Sequence, residues 1–224
     1  MTAATPSSHH ASGDHHHETS LEDSFDFMNT IELESGSLVE RLVTFDDAAN
    51  WLLAHGVVHG SLDAERLRSA FGDEVALARV RAVRGALREI AHAIAEDRPA
   101  DGAALTEINR AIQARERIEL VPEPGGCSVG HSHVGDPLDD ALARLADPIV
   151  DAIQAGHTDR VRICANDTCR WIFFDESRAG RRRWCDMATC GNRAKAARHR
   201  ARQKASEVEI RTEPEAPAAA GRPN

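Results

Sequence analysis

Several things are missing from this chain, and each absence closes a class of function. No run of about eighteen apolar residues occurs, so no helical membrane span is expected. The opening segment lacks the basic-then-apolar order of a secretory signal, which points to a soluble, cytoplasmic protein. No phosphate-cradling glycine loop is present and no Ser/His/Asp or paired-carboxylate arrangement stands out, so an enzyme is not expected. Lysine is almost absent: among the 27 basic residues only Lys195 and Lys204 are lysines, and arginine supplies the rest. No internal repeat is visible. At 224 residues with 42% apolar content, the chain can bury a modest core and hold one or two small domains.

What is present is concentrated toward the C-terminal end. Of the 5 cysteines, four lie there as Cys164-x4-Cys169 and Cys185-x4-Cys190, separated by a spacer from Arg170 to Trp184. Two short cysteine loops with such a spacer can bring four thiolates around one tetrahedral Zn²⁺. An all-sulfur set leaves no position open for a substrate, so the expected cofactor is a single structural zinc. The other reading is four free or disulfide-bonded cysteines. The odd cysteine total and the missing secretory signal argue against disulfides.

Charge is distributed just as unevenly. The formal total is −9, yet residues 1–159 carry 12 basic and 28 acidic side chains, whereas residues 160–204 carry 13 basic and 4 acidic ones. A positive segment on an acidic body reads as an end that binds a polyanion.

Along the chain, residues 1–20 include His9, His10, His15, His16 and His17 and cannot build a core. They are expected to form a disordered tail, with metal binding as a lesser alternative. A first helix is predicted over Leu21 to Asn29, followed by an irregular or weakly extended connection from Thr30 to Val43. Thr44 caps the next helix, Ser61 opens another, and after Gly72 a long helix places Val83, Leu87, Ile90 and Ile94 on one stripe. Asp101 caps a helix with Leu105, Ile108 and Ile112 on one face. The run from Ile118 to Val134 turns at Pro124-Gly125-Gly126 and reads as a β-hairpin with a polar tip. Asp136 and Pro137 then start a helix with Leu138, Leu142, Leu145, Ile149 and Ile153 buried, which Pro148 should kink or split. A basic strand from Arg160 to Ile163 leads into Cys164.

The expected fold class is therefore mainly α. A helical domain with a small β-hairpin over residues 21–157 is joined, with almost no linker, to a small treble-clef-like finger of four cysteines over 158–204, and residues 205–224 form a second disordered tail. Within the finger, Trp171 to Phe174 is predicted as one strand and Arg181 to Trp184 as its returning partner. The aromatics either pack there as core or stack on bases. Asp186 can cap a helix carrying Cys190, on which Ala194, Ala197, Ala201 and Ala205 share a narrow face flanked by arginines and lysines. The candidate nucleic-acid contacts are Arg181, Arg182, Arg183, Arg193, Lys195, Arg198, Arg200 and Arg202. A purely solvated charged face is the alternative.

Arg183-Trp184-Cys185 and Cys190-Gly191-Asn192-Arg193, together with Cys169-Arg170-Trp171 and Phe174-Asp175-x-Ser177, resemble the zinc finger named after its Cys-Gly-Asn-Arg motif, with Cys164, Cys169, Cys185 and Cys190 matching its four ligands. Phe27-Met28-Asn29-Thr30, Trp51-Leu52 and Leu87-Arg88 resemble landmarks of the helical ABATE domain that usually precedes it. The resemblance implies a stress-related transcription regulator, described in some cases as an RNA-binding zinc-ribbon-like protein. It leads to three expectations: DNA binding first, RNA binding second, and a protein-interaction module third. In the first, the helical domain senses a small molecule or forms a homodimer. Cys127-x3-His131-x-His133 lies outside the family motif. With His157 these residues could hold a second metal, although a solvated hairpin tip is the plainer reading.

Overall fold

In a computed structural model, residues 19–34, 37–58, 72–114, 117–132 and 136–212 are described; for 34, 117–118, 131–132, 137 and 206–212 only the backbone is. The predicted N-terminal tail and the helix opened by Ser61 lie outside the described residues, apart from Thr19 and Ser20.

The first helices begin where their caps dictate. In α1 (Leu21–Met28) Ser20 and Asp23 form a reciprocal capping box, and in α2 (Phe45–Ala54) Thr44 and Asp47 do the same. Between them, β1 (Ile31–Glu34) and β2 (Ser37–Glu40) pair antiparallel, so the segment read as an irregular connection is a hairpin. A tertiary ion pair holds it. The buried guanidinium of Arg84 donates to both carboxylate oxygens of Glu40 and, at 3.0 Å, to the Thr30 hydroxyl. No local pattern announces that anchor, because Arg84 comes from a helix distant in sequence.

That helix, α3 (Asp73–Ala95), is the spine of the molecule. Ala76, Val80, Val83, Leu87, Ile90 and Ala91 are buried along it, and α1, α2, α4 and α5 pack around it. Each large aliphatic side chain taken out of water there contributes about 1.5–3 kcal/mol. In α4 (Gly102–Gln113), capped by Asp101, the buried set is Ala104, Ile108 and Ala111. Leu105, expected inside, is 44% exposed because it sits a quarter-turn off that stripe. A hairpin of β3 (Arg117–Glu123) and β4 (Gly126–Ser132) follows in the predicted place, and Leu120 and Val129 face solvent on it.

Helix α5 (Pro137–Gln154) starts at Asp136, whose carboxylate accepts from the amides of Leu138 and Asp139 at 2.9 Å each. It runs through Pro148 as a single element and is not split. Leu145, Ala146 and Ile149 are buried on both sides of the proline, and their packing keeps the segment helical despite the lost backbone bond. Ile153, in the last turn, is exposed. Gly156 closes the helix in the left-handed region at φ 73°, followed by a short 3-10 turn, His157–Arg160.

The chain then enters β5 (Val161–Ile163), which pairs antiparallel with β6 (Ile172–Phe174). This corrects the predicted hairpin: Arg181 to Trp184 form no strand, and the partner of the aromatic strand is the basic one preceding Cys164. Val161 and Ile172 belong to the same core as α3, and the Phe174 ring lies 6.2 Å from that of Phe25. Asn29 fastens the hairpin from the end of α1. Its side-chain amide donates to the Ile172 carbonyl at 2.8 Å and accepts from the Ile172 amide at 3.0 Å. A π turn (Met187–Gly191) leads into the last helix, α6 (Asn192–Thr212). It continues past Lys204, where a tail is predicted, and ends at Thr212, ahead of Glu213-Pro214, where the proline disfavours helix at the residue before it.

Candidate metal centre and the basic helix

The two cysteine pairs come from two backbone devices. Cys164 and Cys169 flank a tight knuckle between β5 and β6. Asn166 organises it by accepting from the amides of Cys169 (2.8 Å) and Arg170 (3.1 Å) through its carbonyl, and from Thr168 through its side chain. Arg170 takes a left-handed conformation, φ 57°. That sharp reversal lets the following Trp171 amide point back at the Cys169 sulfur. Cys185 precedes the π turn and Cys190 lies within it, and Asp186 caps the turn by accepting from the Thr189 amide at 2.7 Å. Cys190 therefore lies two residues ahead of α6. The predicted cap at Asp186 is present; it opens a π turn that runs directly into α6.

All four sulfurs lie within 4.8 Å of one another. The Cys169–Cys185 and Cys185–Cys190 separations are 3.7 and 3.8 Å. Sulfurs at the corners of a tetrahedron with about 2.3 Å metal–sulfur bonds are separated by about 3.8 Å, so the spacing matches a tetrathiolate site. Cys164 and Cys190 are buried and the other two half-buried. Without a cation the crowding is unfavourable. Burial, with the neighbouring Cys164, pushes the Cys169 thiol up to about 11, and burial together with Cys164 and Cys169 pushes Cys185 up further. For Cys190 burial acts in the same direction, but hydrogen bonds from Asn166 and the adjacent thiols outweigh it and lower its pKa. A dication held by Cys164, Cys169, Cys185 and Cys190 would reverse this balance by favouring the thiolates. Asn166, whose amide donates to the Cys190 sulfur at 3.4 Å, is an outer-layer partner that the cysteine spacing did not reveal.

The motif around the cysteines has local roles. At Gly191, a side-chain carbon would lie 2.9 Å from the Met187 sulfur and 3.4 Å from the Trp184 ring, so glycine lets the turn close over the indole. Asn192 ties the turn by donating to the Ala188 carbonyl at 2.9 Å. The fully buried Asp175 accepts from the amides of Ser177 (3.0 Å) and Arg182 (2.7 Å), which holds the spacer loop against the hairpin.

The structure separates the predicted cationic contacts. Arg182 is drawn inward: it stacks 5.2 Å over the Phe173 ring and donates to the Cys185 carbonyl, so its guanidinium serves the finger itself. Arg181, Arg183, Arg193, Lys195, Arg198, Arg200 and Arg202 are exposed. From Lys195 to Ala205 every residue of α6 is exposed, so the alanine face packs against no other part of the described chain and only Ala194 is half-covered. The aromatics point the other way. Trp171 donates from its indole to Glu32 at 3.3 Å and Trp184 packs on the cysteine cluster, as expected of core and not of a stacking platform. Elsewhere, Cys127 is exposed on β4, while His133 and the side chain of His131 lie outside the described residues.

Hairpin, knuckle, cysteine-bearing turn and helix define an all-cysteine metal finger built onto a helical domain. Residues 160–203 match the CGNR zinc finger, and residues 24–156 match the ABATE domain, described as "Putative stress-induced transcription regulator". The second match spans more than half of the chain, and the protein belongs to the ABATE family, with a CGNR finger following that domain. Comparison with curated proteins returned no match.

Proposed function

We propose that the protein is a zinc-dependent DNA-binding transcription regulator, in which the metal finger presents α6 to the duplex. The observation that carries this reading is the fully exposed basic stretch of α6, rooted in a four-sulfur centre and attached to an otherwise acidic chain. A helix polar all round gains nothing from the protein's own core, and its surface is left available to a partner. Arginine suits phosphates and guanine edges. The donor chemistry fits zinc, which as a closed tetrathiolate would be structural; no catalytic role is proposed. No helix among the described residues is long and apolar enough to cross a membrane, and a cytoplasmic location accords with the regulator reading.

The test is a fluorescence-anisotropy titration of the zinc-loaded full chain with duplex DNA at several salt concentrations. With about six phosphate contacts, log K should fall against log salt with a slope of about −5 to −6. A flat response would overturn the proposal. Tighter binding to single-stranded RNA in the same assay would shift it to RNA, against which the packed indoles of Trp171 and Trp184 already weigh.

A further inference from the structure

The charge on α6 is arranged, and the arrangement specifies how a nucleic acid would be held. At roughly 100° per residue, Arg200 and Lys204 fall within about 20° of Arg193 around the helix axis. Lys195, Arg198 and Arg202 cluster about the diametrically opposite line, within roughly 40° of it. A helix that lies on one strand, or on a flat anionic surface, needs cations on one side only. Two opposed stripes fit a partner with two anionic walls.

Between the stripes lie two narrow faces. One contains Ala194, Ala197 and Ala201, of which only Ala194, nearest the finger, is half-covered. The other contains Ala196, His199 and Gln203, all exposed, on the side of the helix opposite the half-covered Ala194.

Resting on the nucleic-acid reading above, we propose that α6 lies lengthwise in the major groove of duplex DNA, with Arg193, Arg200 and Lys204 on the phosphates of one strand, Lys195, Arg198 and Arg202 on those of the other, and His199 and Gln203 facing the base edges. An α-helix with its side chains is about 10–12 Å across, and the B-form major groove is about 12 Å wide. The stretch from Arg193 to Lys204 rises about 16 Å, the length of roughly five base pairs. Gln203 can pair with the major-groove edge of adenine, His199 can donate to guanine acceptors, and the small Ala196 lets the helix backbone approach. The A-form RNA major groove is too narrow and deep for the same fit.

The test uses the full chain loaded with zinc and three variants: R193Q/R200Q/K204Q, K195Q/R198Q/R202Q and H199A/Q203A. All changes lie on the exposed helix, and circular dichroism and metal content verify that each variant is folded. Binding is measured on a random duplex pool, and preferred sites are selected from that pool by sequencing. Each stripe variant should lower affinity to a similar extent and reduce the magnitude of the salt slope by about 2–3, one phosphate contact being lost per residue. H199A/Q203A should retain the salt slope and lose sequence preference. Replacing guanine by 7-deazaguanine in a selected site should weaken wild-type binding, whereas a minor-groove drug should not compete.

Retained duplex binding with only one stripe mattering, or with competition by the minor-groove drug, would overturn the groove placement and leave the DNA-binding reading standing. Absence of any nucleic-acid affinity in the wild-type chain would overturn both.

Discussion

At the scale of single residues, two polar side chains buried far from their partners in sequence hold the molecule together. Arg84 is 3% exposed and paired with Glu40. Burial of Glu40 works against ionisation, but the hydrogen bonds from Arg84 and the Leu42 amide outweigh it and hold the carboxyl below its ordinary value. A depressed folded-state pKa means that the contribution is fully present above the ordinary carboxylate range, about pH 4.3, and is lost as pH falls through the folded value. Denaturant midpoints measured from pH 7 to pH 3 should therefore fall more steeply for the wild type than for Glu40→Gln. At pH 7 that variant should be less stable by about 2–4 kcal/mol, since it leaves a buried guanidinium without its counter-charge. Asn29 is the second case. Asn29→Ala removes both bonds to Ile172 and leaves two buried backbone groups unsatisfied, which should cost about 2–4 kcal/mol. Because Ile172 lies three residues beyond Cys169, metal affinity measured by competition with a chromophoric chelator should drop as well.

Among the elements, the finger is the one whose four clustered cysteines suit an ion. Its second core contains only Cys164, Cys190 and Phe173, with Trp171, Trp184 and the other two cysteines partly buried against it. So small a cluster cannot hold the π turn and α6 in place against chain entropy without metal, which contributes on the order of 10 kcal/mol in structural sites. Chelation of the full chain, or Cys185→Ser, should therefore release α6: far-UV dichroism should show loss of roughly the last helix, while the midpoint of the ABATE domain moves much less. An unchanged spectrum after verified metal removal would contradict this. The sequence indicated this element well. Cysteine spacing predicted the site, Asp186 predicted a cap, and Pro137 and Gly156 marked the ends of α5. It pointed to a wrong strand partner for Trp171 to Phe174, because alternation in a short apolar run does not say which neighbour it pairs with. The decisive bonds, from both backbone groups of Ile172 to the Asn29 side chain, span a chain separation that no local rule reads.

At the scale of the whole molecule, finger and helical domain share one core. Val161, Ile172 and Phe174 pack with Phe25 and α3, and Arg170 reaches Glu96 at 3.8 Å. A fragment of residues 158–212 should consequently bind zinc yet expose its hairpin, giving poorly dispersed NMR signals for Val161 and Ile172 that sharpen when the domain of residues 19–157 is supplied. The sequence alone pointed to the four clustered cysteines, the sign and location of the charge, the caps at Thr44, Asp101 and Asp136, and the family, because each of these depends on residue types at short spacings. Tertiary structure decided that Arg182 turns inward to serve the finger, that Trp171 and Trp184 are packed, and that α6 stands fully exposed. It also decided that the β5–β6 hairpin belongs to the helical core. Those outcomes follow from which surfaces meet across long stretches of chain, and burial of that kind is a property of the assembled fold.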